Sequence, residues 1–368
     1  MNPASAFAPP TLAVRDTLSA DAATDWAGTL LARHWRLHGA LLRLAGERDR
    51  NFLLTQQTAA GVAQRFILKI SHPAEDTVIT DFQTQALLHI ARADPSLPVQ
   101  RIVPTQEGAA SFPAQAPDGS MRMVRLLAYL DGEPLPNARR SPAQSDAIAR
   151  LLARLDLALR DFRHPAGALE LPWDIQHTDS VTALLDEIAD PERRASAQRV
   201  LGRFVTHVKP RLPALRAQPI HNDFNIFNLL VAPDDHDRIA GILDFGDMVH
   251  APLIDDLAVA AAYQLDARED GEGGGDGGGK LLASLCRFAA AYHAVLPLQT
   301  RELDLLFDLV QARLLMIVAI SAWRAAREPH NASYLLRNNA VSWTRLSACA
   351  AIDHAQASAA LRTACRVV

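Results

Sequence analysis

The segment HNDFNIFN, residues 221–228, gathers His221, Asp223, Asn225 and Asn228 directly ahead of the apolar LLV. Moving a phosphoryl group needs little covalent work from a protein. It needs a carboxylate to orient the attacking hydroxyl and hard oxygen ligands to hold Mg²⁺ on a triphosphate. Asp223 and Asn228 stand five residues apart, so a loop entering a strand can aim both side chains into one cleft. Asp244, in LDFGDM at the far end of the return strand, comes back to the same mouth. That leaves Asp223 for the hydroxyl, with Asn228 and Asp244 for the metal.

Turns favour Asn and Asp for their own reasons, so each of these residues taken singly reads as structural. Together they form H-x-D-x-x-x-x-N followed by D-F-G, the pattern that the kinase template requires. Such a joint match arises by chance on the order of once in ten thousand chains, which favours the catalytic reading. Lys69 lies in RFILKI, the setting of a phosphate-anchoring lysine: inside an early strand, before a helix. It is the only lysine in the first 200 residues.

The other candidates are less sharply defined. LAGERDRNFLL has one glycine, Gly46, where a phosphate loop carries several, yet backbone amides from Gly46 to Asn51 can cap phosphates or form a plain turn. The helix TVITDFQTQALLHIAR offers Gln83 and Gln85 where an acid should pair with Lys69. Asp255 and Asp256 begin an apolar helix, where they can cap it. Asp256 can also brace the 221–228 loop together with His221. Asp247 is a candidate for the metal's surroundings or for a substrate amine. Asp174 and Asp255 are further ammonium candidates, and Trp173 can wall a pocket or face a cation. Asn225 is a candidate reader of substrate identity.

These residues need a frame. ATDWAGTLLARHW has apolar positions at helical spacing. HGALLRL, NFLLTQ and RFILKI read as strands separated by polar turns, a helix follows at about Thr77–Ala91, and GSMRMVRLLAYL is another strand. DGEPLPN reads as a hinge. Beyond Ser141 the pattern turns helical, with helices expected at 180–189, 195–208, 252–264, 280–295, 302–327 and 332–350. Only the catalytic stretch and RIAGILDF break it, as a hairpin around APDDHD. REDGEGGGDGGGK, 268–280, reads as a flexible loop. The expectation is an α+β, bilobal chain, which the resemblance given below makes protein-kinase-like. A small β-rich nucleotide lobe spans 1–130, with 1–20 poorly ordered. A larger, mainly helical lobe spans 131–368 and carries the catalytic hairpin at 220–247.

The 368 residues allow about two domains, and a net charge of −4 with no basic block argues against nucleic acid as a partner. Three cysteines form no framework, which fits a reducing, cytoplasmic setting. The N-terminus lacks the basic start and apolar core of a signal peptide. LVQARLLMIVAISAW is interrupted by Gln311 and Arg313 and reads as a buried helix, so no membrane is expected.

At this point HNDFNIFNLLV, GILDFGDM and the Asp-Leu-Ala of IDDLA resemble the aminoglycoside phosphotransferase and choline kinase superfamily. GERDRNFLL, RFILKIS, VRLLAYLDGEPL, LARLDLALRDFRHP and LPWDI are closer to hydroxylysine kinases, and to kinase domains fused to bacterial class III aminotransferases. The likeness runs from about residue 40 to 265, with a weaker echo in NASYLLRNNAVSW. It implies a bilobal kinase-like fold, with Asp223 as base, Asn228 and Asp244 on Mg²⁺, and Lys69 on the phosphates of ATP or GTP. It also implies that the backbone around Leu127–Leu130 meets the purine. Two positions depart from the family pattern: Asn222 stands where a glycine is usual, and Phe224 replaces a leucine. The implied activity is a small-molecule kinase for an amino-bearing alcohol or amino acid, with 5-hydroxylysine first. Choline, ethanolamine, homoserine or an aminoglycoside are alternatives, as is a nucleotide-binding pseudokinase regulator. An aminotransferase is a possible pathway partner.

Overall fold

A computed structural model of the chain describes residues 16–44, 46, 49–58, 61–168, 171–266 and 277–367. Most of the segment read as poorly ordered (1–20) and of the glycine-rich loop (268–280) lies outside these residues, as do positions 47 and 48 of the Gly46–Asn51 turn. Helix α1 (Ala20–Trp35) precedes strands β1 (Ala40–Leu44), β2 (Arg50–Gln57) and β3 (Ala63–Ile70). Helix α2 (Thr77–Ala93) and strands β4 (Ile102–Val103), β5 (Phe112–Gln115) and β6 (Met121–Ala128) follow. The strands form one antiparallel sheet in the order β1-β2-β3-β6-β4, with β5 also paired to β6.

Side chains alternate faces along a strand, and this alternation sorts the sheet's residues. Leu68 and Ile70 join Phe52, Leu54, Val124 and Leu126 in a core beneath α1. Ile67 and Leu127 face the other way and pack with Phe82, Leu87 and Ile90 of α2. Lys69 shares the face of Ile67. The register sets Asn51, Lys69 and Arg125 side by side across β2, β3 and β6. The sheet thus carries one polar row on its α2 face.

The remainder is mostly helical. β7 (Glu133–Pro134), in the segment read as a hinge, leads to α3 (Pro142–Leu159) and α4 (Pro191–Arg203). Strands β8 (Ala217–Ile220), β9 (Leu229–Ala232), β10 (Asp235–Ile242) and β11 (Val249–Pro252) carry the catalytic segment. Helices α5 (Leu253–Gln264), α6 (Gly277–His293), α7 (Thr300–Arg327), α8 (Ala332–Leu335), α9 (Asn339–Cys349) and α10 (His354–Ala364) complete the chain. The 28-residue α7 runs through the main core and packs on α5, α9 and α10. By length and composition α7 could cross a membrane, but it is almost wholly buried inside the protein.

Two helices differ from the sequence reading. The helix expected at 180–189 is a 3-10 stretch over Ile175–Glu187, kinked at His177. The hydroxyls of Thr178, Ser180 and Thr182 each bond the carbonyl three residues back, which competes with α-helical pairing. The helix expected at 332–350 breaks into α8 and α9, and Leu336–Asn338 form the corner between them.

Candidate active site

The catalytic segment hangs between two small sheets. β8 pairs with β11 on one side, and β9 pairs with β10 and β7 on the other. Between them, Asp256 at the start of α5 accepts the backbone amides of His221 (2.9 Å) and Asn222 (2.8 Å). The His221 ring accepts the Asp223 amide at Nδ1 (3.3 Å), so its Nε2–H donates to the Leu243 carbonyl (3.0 Å). The same ring packs on Phe224 and on Phe245 of the Asp-Phe-Gly segment. His221 and Asp256 therefore fix the loop from behind, and His221 also ties it to the return strand.

The backbone is left-handed at Asn222 (φ 62°) and at Asp244 (φ 56°). Asn and Asp are the non-glycine residues that tolerate this region best. Asn222 can therefore stand where glycine is usual, and its Nδ2 donates to the Asp247 carbonyl (3.0 Å). The next residue, Asp223, enters the cleft.

Asp223 is held from several sides. Asn228 Nδ2 donates to its carboxylate (2.8 Å) and to its carbonyl (3.0 Å). Arg313 of α7 donates to its Oδ1 (3.1 Å). Desolvation at the cleft floor lifts Asp223 to about 6, and the charge of Asp244 adds to this. Arg313, Asn225 and Asn228 pull the other way. Desolvation likewise opposes ionisation of Asp244, but Lys69, the Gly246 amide and Arg125 outweigh it and hold Asp244 below the usual carboxylate range. The site thus pairs one acid that ionises with difficulty and one that ionises readily.

The donor set fits a divalent cation. Asn228 spends its amide nitrogen on Asp223, which leaves its oxygen available to a cation beside Asp244. Among the described residues no group of three His, Cys, Asp or Glu forms a metal site. One carboxylate and one amide suit an ion that takes its remaining ligands from phosphates and water.

A cleft of about 350 Å³ joins these residues. Gly46, Asp49, Asn51 and Lys69 line its sheet side, and Asp223, Asn225, Asn228, Asp244 and Asp247 its floor. Trp173, Tyr263, Arg313 and the corner between α8 and α9 line the helical side. A Cβ at Gly46 would stand 2.7 Å from the Asp49 carbonyl, so glycine is required for the turn to close there. Asn225 is buried, and its Oδ1 caps the Phe227 amide (2.7 Å), which leaves its amide nitrogen for Asp223.

Several expectations need correction. Lys69 pairs with Asp49 of the β1–β2 turn (4.0 Å), not with a residue of α2. Gln83 is engaged elsewhere, accepting from Arg125 and donating to the Gly246 carbonyl (3.4 Å), and Gln85 donates to Asp81 (3.2 Å). Leu127 and Leu130 do not line the cleft. Leu127 is buried in β6, and the next two amides, of Ala128 and Tyr129, are spent on the carbonyls of Arg101 and Arg65. Asp174 is buried away from the cleft, where it caps the amide of Gln176 (3.0 Å). Asp255 is also fully buried and off the cleft wall.

Sequence reasoning missed Arg313, Arg125 and Arg337. Arg313 is buried, donates to the Trp173 carbonyl (2.9 Å) and lies over the Trp173 ring. Its one signal was a lone charge in the middle of an apolar helix. Arg125 shares the register row of Lys69 and stitches β6 to α2.

The profile of the phosphotransferase enzyme family matches residues 40–279. The chain is 28% identical over 300 residues to the hydroxylysine kinase of Danio rerio, covering 78% of this chain and 80% of that protein. It is 27% identical over 234 residues to the hydroxylysine kinase of Mus musculus, covering 61% of this chain and 60% of that one. Among solved structures, an amicoumacin kinase in complex with AMP-PNP and Ca²⁺ superposes with a TM-score of 0.61 at 13% identity. That match covers 90% of this chain and 96% of the other, and it carries the fold alone.

Proposed function

The chain belongs to the phosphotransferase enzyme family and is a small-molecule kinase, and from that premise we propose that its acceptor is an amino-bearing alcohol, with 5-hydroxylysine as first candidate. The observation that carries this reading is the convergence of Asp223, Asn228, Asp244 and Lys69 on one cleft. The similarity to hydroxylysine kinases supports the choice of acceptor.

In this reading the sheet holds the nucleoside triphosphate and the helical part holds the acceptor. Lys69 neutralises phosphate oxygens, with Gly46 and Asn51 lining the same side of the cleft. Asn228 and Asp244 would hold Mg²⁺, which offsets the charge developing on the transferred group. Asp223 accepts the proton of the acceptor hydroxyl as its oxygen attacks phosphorus in line with the leaving nucleoside diphosphate. Arg313 and Asn225 keep the Asp223 carboxylate pointed at that hydroxyl.

The test is phosphoryl transfer from ATP and GTP, in parallel, to 5-hydroxylysine, choline, ethanolamine, homoserine and an aminoglycoside. Turnover of 5-hydroxylysine above the others is the expected result. Its absence, with another alcohol turned over, would remove the hydroxylysine assignment and leave the kinase. The variant Asp223→Asn should lose about 10²-fold or more in kcat while still binding nucleotide.

A further inference from the structure

The helical wall of the cleft is unlike the floor in charge. Arg337, at the corner between α8 and α9, lines the cleft together with Arg313 and Arg324 of α7. Its guanidinium lies 4.1 Å from the ring centroid of Phe227, in the catalytic segment, and 4.0 Å from that of Tyr334. Two rings thus hold a cation that is itself exposed at the cleft. Among the described residues no carboxylate pairs with Arg337, whereas Arg313 is committed to Asp223 and Arg324 pairs with Glu328. Tyr263 lines the same cleft.

A guanidinium packed against ring faces spends no N–H on them and keeps its donors for a planar anion, which a carboxylate meets with two parallel hydrogen bonds. A cation on this wall repels an acceptor that carries only ammonium groups. Resting on the proposed phosphotransfer to an amino-bearing alcohol, we infer that Arg337 binds a carboxylate of the acceptor. The acceptor class is then hydroxy amino acids, and simple amino alcohols are disfavoured. In this arrangement the acceptor hydroxyl meets Asp223 at the floor, and its carboxylate end docks on the Arg337 edge of the wall.

The test uses hydroxy amino acids, each paired with the amine left when its carboxyl is removed. The pairs are 5-hydroxylysine with 1,5-diaminopentan-2-ol, homoserine with 3-aminopropan-1-ol, and threonine with 1-aminopropan-2-ol. For the best pair, wild-type kcat/KM should favour the acid by about 10²-fold, the scale of a lost charge pair. In Arg337→Gln that preference should collapse through a raised acceptor KM, with the nucleotide KM unmoved and Arg337→Lys restoring part of it. Equal use of acid and amine by the wild type overturns the carboxylate inference alone. A preference that survives in Arg337→Gln, or a loss that falls on the nucleotide KM, also overturns it. Turnover of none of the six compounds removes the proposed acceptor chemistry itself.

Discussion

Arg313 Nη2 lies 3.1 Å from Asp223 Oδ1, joining the middle of a core helix to the acid at the floor of the cleft. The bond spans 90 residues of sequence, and the arginine side chain is almost completely buried. It holds one carboxylate oxygen of Asp223, while Asn228 holds the other. Arg313→Met should therefore lower kcat by about 10- to 10²-fold through misplacement of the acid, with a smaller change in nucleotide KM. Removing one member of a buried pair also destabilises the fold, by roughly 3 kcal/mol. Arg313→Lys should recover stability in part and kcat less, because a lysine lacks the planar fork. Steady-state kinetics beside thermal melts separate the two effects, and an unchanged kcat would refute the positioning role.

Asp256 accepts two catalytic-loop amides with one carboxylate. Hydrogen bonds to a charged acceptor contribute roughly 1.5–3 kcal/mol each, and a buried amide left without a partner costs a comparable amount. Asp256→Asn keeps the shape but cannot accept from both amides through its nitrogen end. It should melt several degrees lower and lose more than about 10-fold in kcat. Nucleotide affinity, read by titration, should change little because Lys69 and the sheet are untouched. Loss of nucleotide binding in proportion to kcat would assign Asp256 a general structural role instead.

The parts of this site that were legible in the sequence sit close together along the chain. Asp223, Asn228 and Asp244 fall inside one strand–turn–strand unit, where spacing alone constrains geometry, and Lys69 follows from the alternation of one strand. Arg313, Tyr263 and Arg337 reach the cleft from elements whose packing is not written in local periodicity. The same limit explains the misreading of Asp174, because an acid before a helix looks solvated until its surroundings are known. It also explains the missing β8–β11 pair, since Ala217–Ile220 and Val249–Pro252 are too short to show a period. Helix type at Ile175–Glu187 failed for another reason, as hydroxyl side chains there bond the backbone and tighten the turn.

Asn222 supplies a local test of backbone strain. Its left-handed φ of 62° costs most side chains about 1–2 kcal/mol and costs glycine nothing. Asn222→Gly removes any residual cost but also the bond to the Asp247 carbonyl, about 1 kcal/mol. The two changes oppose each other, so stability should shift by less than about 1 kcal/mol. Asn222→Val brings a branched side chain into the same backbone and should cost more than about 2 kcal/mol. Urea denaturation of both variants decides this, and a Val variant as stable as the Gly variant would contradict the backbone argument.

Behind the catalytic loop, Asp156 of α3 is completely buried and touches Asp256. The Tyr292 hydroxyl donates to its Oδ2 (2.5 Å), while its Oδ1 has no donor among the described residues. Two carboxyl groups in contact out of water cannot both be charged, so Asp156 holds a proton and donates it to Asp256. Burial first, and then the charge of Asp256, raise Asp156 well above the carboxylate range. Asp255, buried with neither oxygen bonded among the described residues, is raised in the same direction by burial, with Asp174 and Asp256 adding to it. The unfolded chain releases these protons near pH 4, and the folded chain keeps them. The folded state therefore binds more protons above that pH, and stability must fall as pH rises through the folded-state values. Asp156→Asn keeps a permanent donor toward Asp256 and an oxygen for Tyr292, so it removes one of these protons without breaking the chain of bonds. Wild-type stability to urea should decline from pH 6 to pH 9, and the Asn variant should decline less. Parallel declines in the two proteins would mean that Asp156 is not the group that loses the proton.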